Sequence, residues 1–184
     1  HEDDAAERLA SAAAGPGLVL DPPKEGKVLI KAATKGLLKV RRELVEEVNL
    51  RGDLILSTLH DNTPCEEGMT VAATRVVPLV IREEEVLWAE EFLRERPALE
   101  IRPYLQKKVG VIVTGNEVYY SRVPDAFEQM VAPKIERYGG VLLYKALAPD
   151  DPEVISKEVV KAKEKGAEVI LTTGGLSVDP GDVT

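Results

Sequence analysis

Apolar positions recur at two different periods along this chain, and the change falls near residue 107. Residues 3–14 set Ala5, Ala6, Leu9 and Ala13 on one face of a helix, with Gly15 as its stop. Gly15-Pro16-Gly17 and Asp21-Pro22-Pro23 read as loops. Residues 27–81 then carry short apolar runs of strand length: Val28-Leu29-Ile30, Leu37-Leu38-Lys39-Val40, Leu54-Ile55-Leu56, Val71-Ala72-Ala73 and Val76-Val77-Pro78-Leu79-Val80-Ile81. Between the second and third runs, residues 41–49 read as a short helix with Leu44, Val45 and Val48 inward. Residues 83–94 form another amphipathic helix, carrying Val86, Leu87, Trp88 and Phe92. Pro97 and Pro103 bracket a predicted linker, which places a domain boundary at Lys107.

Beyond that boundary the pattern becomes a regular alternation. Residues 109–113 read as a buried strand and residues 124–138 as a helix with Phe127, Met130, Val131, Ile135 and Tyr138 inward, kinked or restarted at Pro133. Val141-Leu142-Leu143-Tyr144 is a second strand. Asp151 reads as the N-cap of a helix over residues 152–165, with Pro152 at the first helical position and Ile155, Val159 and Ala162 inward. Val169-Ile170-Leu171 is a third buried strand. This order implies right-handed crossovers and a mostly parallel sheet between helix layers, a three-layer α/β/α domain over residues 108–184. Residues 1–107 would form a smaller, β-rich α+β domain. All three strands would then end on one edge, so residues 114–116 and 172–175 face one crevice.

Composition narrows the function more than it names it. The net charge of −8 is spread evenly, with 16 basic against 20 acidic side chains in residues 1–108 and 8 against 12 in residues 109–184. Neither half has the basic face that nucleic acid requires. No apolar stretch approaches the roughly 18 residues that span a bilayer. Cys65 is the single cysteine, so an internal disulfide is excluded. The expectation is a cytoplasmic protein with neither nucleic-acid nor membrane partners, and the missing initiator methionine reads as a fragment of something longer.

The chemistry concentrates at the C-terminal end: Thr172-Thr173-Gly174-Gly175-Leu176-Ser177, then Asp179, Asp182 and Thr184. A strand that ends in a glycine-rich, hydroxyl-bearing and acidic loop is where open α/β sheets hold phosphorylated ligands. Backbone N–H groups around adjacent glycines form an anion nest, and Thr173 and Ser177 add donors. The loop is neither a dinucleotide fingerprint nor a P-loop. Asp182 lies close enough to Gly175 for one loop to hold both a phosphate and a cation. Two other clusters read as structure: Asp150-Asp151 as a helix cap, and His60-Asp61-Asn62-Thr63-Pro64-Cys65 as a turn with no second metal ligand at suitable spacing. Trp88 reads as core or interface.

Thr172–Ser177 followed by Asp182-Val183-Thr184 resembles the signature of the molybdenum-cofactor biosynthesis domain. That family includes molybdopterin adenylyltransferases, molybdenum-inserting transferases and the N-terminal domain of competence-damage-inducible proteins. Thr114-Gly115-Asn116-Glu117-Val118 is similar to the family's first strand-end loop, Asp125 falls where the next helix brings in an acid, and Pro149-Asp150-Asp151 precedes the second helix as in the family. The likeness covers residues 108–184. Residues 36–40 and 73–79 resemble a subgroup of larger bacterial molybdopterin-binding proteins.

The resemblance implies a molybdopterin site with Gly174, Gly175 and Ser177 at the pterin phosphate. Thr114, Gly115, Asn116, Glu117, Thr172, Thr173 and Asp179 would line the same crevice. Asp125 and Asp182 would be catalytic carboxylates holding Mg2+ if the protein transfers a nucleotidyl group from ATP or inserts molybdenum. The alternatives are a binding protein, such a transferase, and a non-catalytic pterin-sensing or interaction module; a homo-oligomer is compatible with each. Ala126, Phe127 and Asn116 depart from the family by removing oxygen ligands, and the family's later glycine-proline loop would fall beyond Thr184.

Overall fold

The computed structural model describes residues 1–121 and 127–174, with Glu128 described by its backbone. The chain separates into two compact units, His1–Tyr104 and Leu105–Thr184.

The first unit runs α1 (Glu2–Ala13), β1 (Leu18–Leu20), β2 (Lys27–Ala32), β3 (Gly36–Val40), α2 (Arg42–Leu50), β4 (Leu54–Thr58), β5 (Pro64–Cys65), β6 (Thr70–Val76), α3 (Glu83–Leu93) and β7 (Leu99–Pro103). Two antiparallel sheets result, ordered β1-β2-β6-β4 and β5-β3-β7. Helix α1 carries small side chains at its buried positions, Ala5, Ala6, Ala10 and Ala13 around Leu9, and lies against β2, β6 and α3. Such small side chains let a helix approach a sheet closely. The one polar group this buries in β6, the Thr74 hydroxyl, donates to the Ala6 carbonyl oxygen at 2.9 Å.

Two expectations for this unit need correction. The predicted linker between Pro97 and Pro103 contains β7, which pairs with β3 from Gly36↔Pro103 to Val40↔Leu99. Leu99 and Ile101 turn into the core while Glu100 and Arg102 turn outward, the alternation of a half-buried strand. The predicted strand over residues 76–81 stops at Val76, because its neighbour β4 begins at Leu54, opposite Val76. Pro78, which has no N–H to offer a ladder, follows in the segment that leaves the sheet. In α3, Val86, Ala89 and Leu93 form the buried stripe, Leu87 is exposed, and Trp88 and Phe92 stack at 5.0 Å on its flank.

The second unit runs β8 (Lys108–Thr114), α4 (Asn116–Tyr119), α5 (Phe127–Met130), α6 (Ala132–Arg137), β9 (Val141–Ala148), α7 (Pro152–Glu164) and β10 (Val169–Thr173). Its three strands are all parallel, in the order β10-β8-β9. Side chains of β8 alternate between two helix layers: Val109, Val111 and Val113 pack with Phe127 and Ile135, while Gly110 faces Ala162 of α7. A Cβ on Gly110 would stand 3.0 Å from Ala162, so α7 packs close over the sheet there. The fold is the mixed α/β architecture expected, a parallel sheet between helices preceded by an α+β unit.

The restart expected at Pro133 is present: the helix breaks at Val131, and α6 begins with Pro133 in its first turn, where a missing N–H is harmless. Other details differ. Met130 and Tyr138, expected inward, are exposed. Among the described residues β9 and β10 flank the sheet with Val141, Leu142, Leu143, Val169 and Leu171 substantially exposed, so the strand expected to be buried at Val169-Ile170-Leu171 is not; the central strand β8 is buried from Val109 to Thr114.

Candidate functional site

The expected crevice lies at the C-terminal ends of the adjacent strands β10, β8 and β9. β8 continues through α4, α5 and α6 to β9 on one side, and β9 continues through α7 to β10 on the other. The C-terminal ends of these parallel strands therefore lie along one edge, the side on which open α/β sheets admit ligands. Register pairs Val113 with Thr173, bringing residues 114–117 and 172–174 together.

Thr114 is the hub of this edge. Its side chain is buried, and its hydroxyl donates to the Thr173 carbonyl oxygen at 3.0 Å, closing the two strand ends on each other. Gly174 then turns with φ +109, and a Cβ there would fall 2.5 Å from the Thr114 carbonyl oxygen. No residue with a side chain fits that turn without moving the strand beside it. Gly115 also takes a positive φ of +133, but its Cβ direction is open space, so the constraint there is the backbone turn alone. Its N–H donates to the Ala148 carbonyl oxygen at 3.1 Å, drawing the end of β9 to the same edge.

Asn116 and Asp150 complete the described part of the rim by exchanging bonds. The Asn116 backbone N–H donates to the Asp150 carboxylate at 3.0 Å, and the Asp150 backbone N–H donates to the Asn116 side-chain oxygen at 3.2 Å. Sequence reasoning read Asp150 together with Asp151 as a helix cap, and the structure divides the pair. Asp151 is the N-cap of α7, accepting from the N–H groups of Glu153 at 2.8 Å and Val154 at 3.3 Å. Asp150 reaches a loop 34 residues earlier, a contact for which no local pattern exists. At the opposite edge of the sheet, Lys107 and the Lys108 N–H bind Glu168 at 2.8 and 3.0 Å and hold its carboxyl below the usual range.

Thr114, Gly115, Asn116, Glu117, Thr172, Thr173 and Gly174 thus share one edge. Gly175, Ser177, Asp179 and Asp182, together with Asp125, lie outside the described residues. A phosphate fits the described edge in one respect, the glycine turn that keeps side chains away from the backbone between Thr114 and Thr173. For magnesium, the two carboxylates of interest are among the undescribed positions, and among the described residues no group of three or more His, Cys, Asp or Glu side chains is placed to hold a metal ion.

The His60–Cys65 segment is a turn. Asn62 has a positive φ of 63, and the Thr63 hydroxyl donates to the His60 carbonyl oxygen at 2.7 Å. The Val40 N–H and the Lys39 ammonium bind Asp61 at 2.9 and 3.0 Å and hold its carboxyl down. Cys65 is buried, which pushes its thiol up, away from the reactive thiolate. Trp88 carries the Arg51 guanidinium 3.8 Å above its ring.

The described second unit is an α/β domain with a parallel sheet and a glycine turn at the C-terminal end of β10. Within that class, residues 110–184 match the family described as probable molybdopterin binding domain. Over 77 residues the chain is 31% identical to a CinA-like protein of Mycobacterium avium and 27% identical to one of Amoebophilus asiaticus. Each alignment takes in 42% of this chain and 18% of the relative, so the chain spans about a fifth of those relatives' length. Among solved structures, the tungsten cofactor synthesizing protein MoaB from Pyrococcus furiosus is similar at 24% identity, over 42% of this chain and 48% of that one, with a TM-score of 0.39. The molybdopterin biosynthesis protein moeA from Pyrococcus horikoshii is similar at 15% identity, over 94% of this chain and 66% of that one, with a TM-score of 0.32. The family match over residues 110–184 agrees with the resemblance read from the sequence. Among the described residues, no helix is long and apolar enough to cross a membrane.

Proposed function

We propose that the second unit binds the phosphate of molybdopterin in the crevice between β8 and β10, in the synthesis or handling of the molybdenum cofactor in the cytoplasm. The observation that supports this most is the turn at Gly174, packed on Thr114 at the shared end of β8 and β10, inside the stretch that matches the family. In this reading Gly174, Gly175 and Ser177 face the phosphate, with Thr114, Gly115, Asn116, Glu117, Thr172, Thr173 and Asp179 around the pterin. Residues 1–107 serve as a separate domain that contacts partner proteins.

Anaerobic calorimetry of the full chain with molybdopterin tests the reading: stoichiometric binding that protects the pterin from oxidation is expected, and absence of both overturns it. Gly174→Ala should abolish that binding. A second reading, magnesium-dependent nucleotidyl or molybdenum transfer, is favoured by Asp182 lying seven residues beyond Gly175 in one loop. Bound Mg2+ would offset charge on the transferring phosphates. Asp125→Asn and Asp182→Asn would then stop turnover and leave melting unchanged, whereas a binding protein shows no turnover in any variant.

A further inference from the structure

Two of the chain's five tyrosines stand side by side at the end of α4, and neither is among the residues assigned to the pterin above. Tyr119 and Tyr120 are 44% and 61% exposed, and their rings meet edge to face at 5.2 Å and 87°. The Tyr119 N–H donates to the Gly115 carbonyl oxygen at 2.9 Å, and the Tyr120 N–H to the Asn116 carbonyl oxygen at 3.0 Å. Helix α4 is thus one complete turn fastened to the loop that ends β8. Within such a turn, positions i, i+3 and i+4 share a face. Asn116, Tyr119 and Tyr120 therefore lie on one face of α4, while Val118 turns the other way and packs against the core. That face belongs to the rim, because Asn116 is the residue tied to Asp150. A lone exposed tyrosine is ordinary surface. Two adjoining ones beside the strand ends offer a flat ligand something to stack on.

We propose that Tyr119 and Tyr120 form the stacking surface for the ligand's flat pterin ring, an assignment that rests on the molybdopterin reading above. The edge is long enough for both ends of such a ligand. Val113 pairs with Thr173 on one side and with Leu147 on the other. The Gly174 turn and the Asn116–Asp150 tie, which follow those flanking strands, are therefore about two strand spacings apart, roughly 10 Å. Molybdopterin carries its phosphate and its pterin ring at opposite ends, so a phosphate at the glycine turn directs the ring toward α4. Backbone N–H groups and hydroxyls bind a phosphate of any kind, and the ring is what distinguishes a pterin phosphate from inorganic phosphate. Tyrosine suits that task because it offers a large rigid area with few rotatable bonds. The edge-to-face contact holds each ring against the other before any ligand arrives, so little freedom is lost on binding.

Anaerobic calorimetry of the full chain with molybdopterin and with adenosine monophosphate, beside phosphorus NMR with inorganic phosphate, tests this. Tyr119→Ala combined with Tyr120→Ala should weaken molybdopterin by roughly tenfold to a hundredfold, the scale of ring stacking on aromatic side chains. Inorganic phosphate binding and melting should not change, because both side chains are exposed. Tyr119→Phe combined with Tyr120→Phe keeps the rings and should bind molybdopterin as the unaltered chain does. Unchanged molybdopterin affinity in the alanine pair overturns the stacking surface and leaves the pterin reading standing, whereas an unaltered chain that binds no molybdopterin overturns both. A phenylalanine pair as weak as the alanine pair, or an alanine pair that loses inorganic phosphate, overturns the stacking role alone. A tyrosine-dependent preference for adenosine monophosphate over molybdopterin assigns the surface to a nucleotide base and overturns the pterin assignment.

Discussion

The two units bury their strands to different degrees. In the first, both sheets and all three helices feed one apolar cluster, and Leu9, Leu38, Leu54 and Leu99 have essentially no exposed surface. In the second, burial is concentrated in the central strand β8, while β9 and β10 keep much of their apolar surface exposed. The first unit thus devotes its side chains to cohesion, and its strand ends carry ordinary turns such as His60–Cys65. Among the described residues the second has a smaller core, and its distinctive contacts are at one sheet edge: Thr114 to Thr173, Gly174 against Thr114, and Asn116 with Asp150. Cohesion and candidate chemistry occupy separate parts of the chain.

Paired truncations give the most direct way to break this comparison. Leu9→Ala should destabilise the first unit by about 2–5 kcal/mol, because a buried leucine leaves a cavity. Leu142→Ala, on an exposed edge strand, should lie within about 1 kcal/mol, in the range of surface substitutions. Urea denaturation of both variants checks the contrast, and equal losses would erase it.

A smaller effect separates the neighbouring acids at the start of α7. Asp151→Ala removes the N-cap and should cost about 1 kcal/mol in the same denaturation experiment. It should leave pterin affinity within error, because its bonds remain inside the helix. A drop in affinity would show that the cap is part of the crevice.

The smallest expected effect is a pH dependence in the first unit. Arg8 binds Glu90 at 2.9 and 2.7 Å and holds its carboxyl below the usual range, while Glu90 and Glu83 hold the Arg8 guanidinium charged. A lowered carboxyl contributes stability above its ordinary pKa and loses it as pH falls through the lowered value. Melting temperature should therefore fall in acid, and Glu90→Gln should make that fall shallower. Identical acid profiles for the two proteins would remove Glu90 from the account.

What the sequence reveals follows the range of each interaction. Helix α7 could be read in full, because Asp151, Pro152 and the apolar spacing all act within one segment. The parallel sheet and its shared edge were equally accessible, since crossover handedness constrains the order of strand and helix. Strand β7 was hidden because Pro97 and Pro103 dominate local reading, while its partner β3 lies some sixty residues earlier in the chain. Residues 76–81 misled for the opposite reason: their apolar character is genuine, but β4 offers no partner beyond Leu54. In the crevice, the glycine turn announced itself by composition. The tie between Asn116 and Asp150 did not, because it depends on two loops that meet only after the sheet has formed.

The sheet order carries one further consequence, for how the second unit comes into being. The central strand is made first, yet its partner across the crevice is Val169–Thr173, so Val109 must wait for Val169. Contacts between residues so distant in sequence pay loop-closure entropy before they are rewarded, and they tend to assemble late. The junction of Thr114 with Thr173 should then be among the last contacts acquired during folding. Weakening it should hasten unfolding far more than it slows folding.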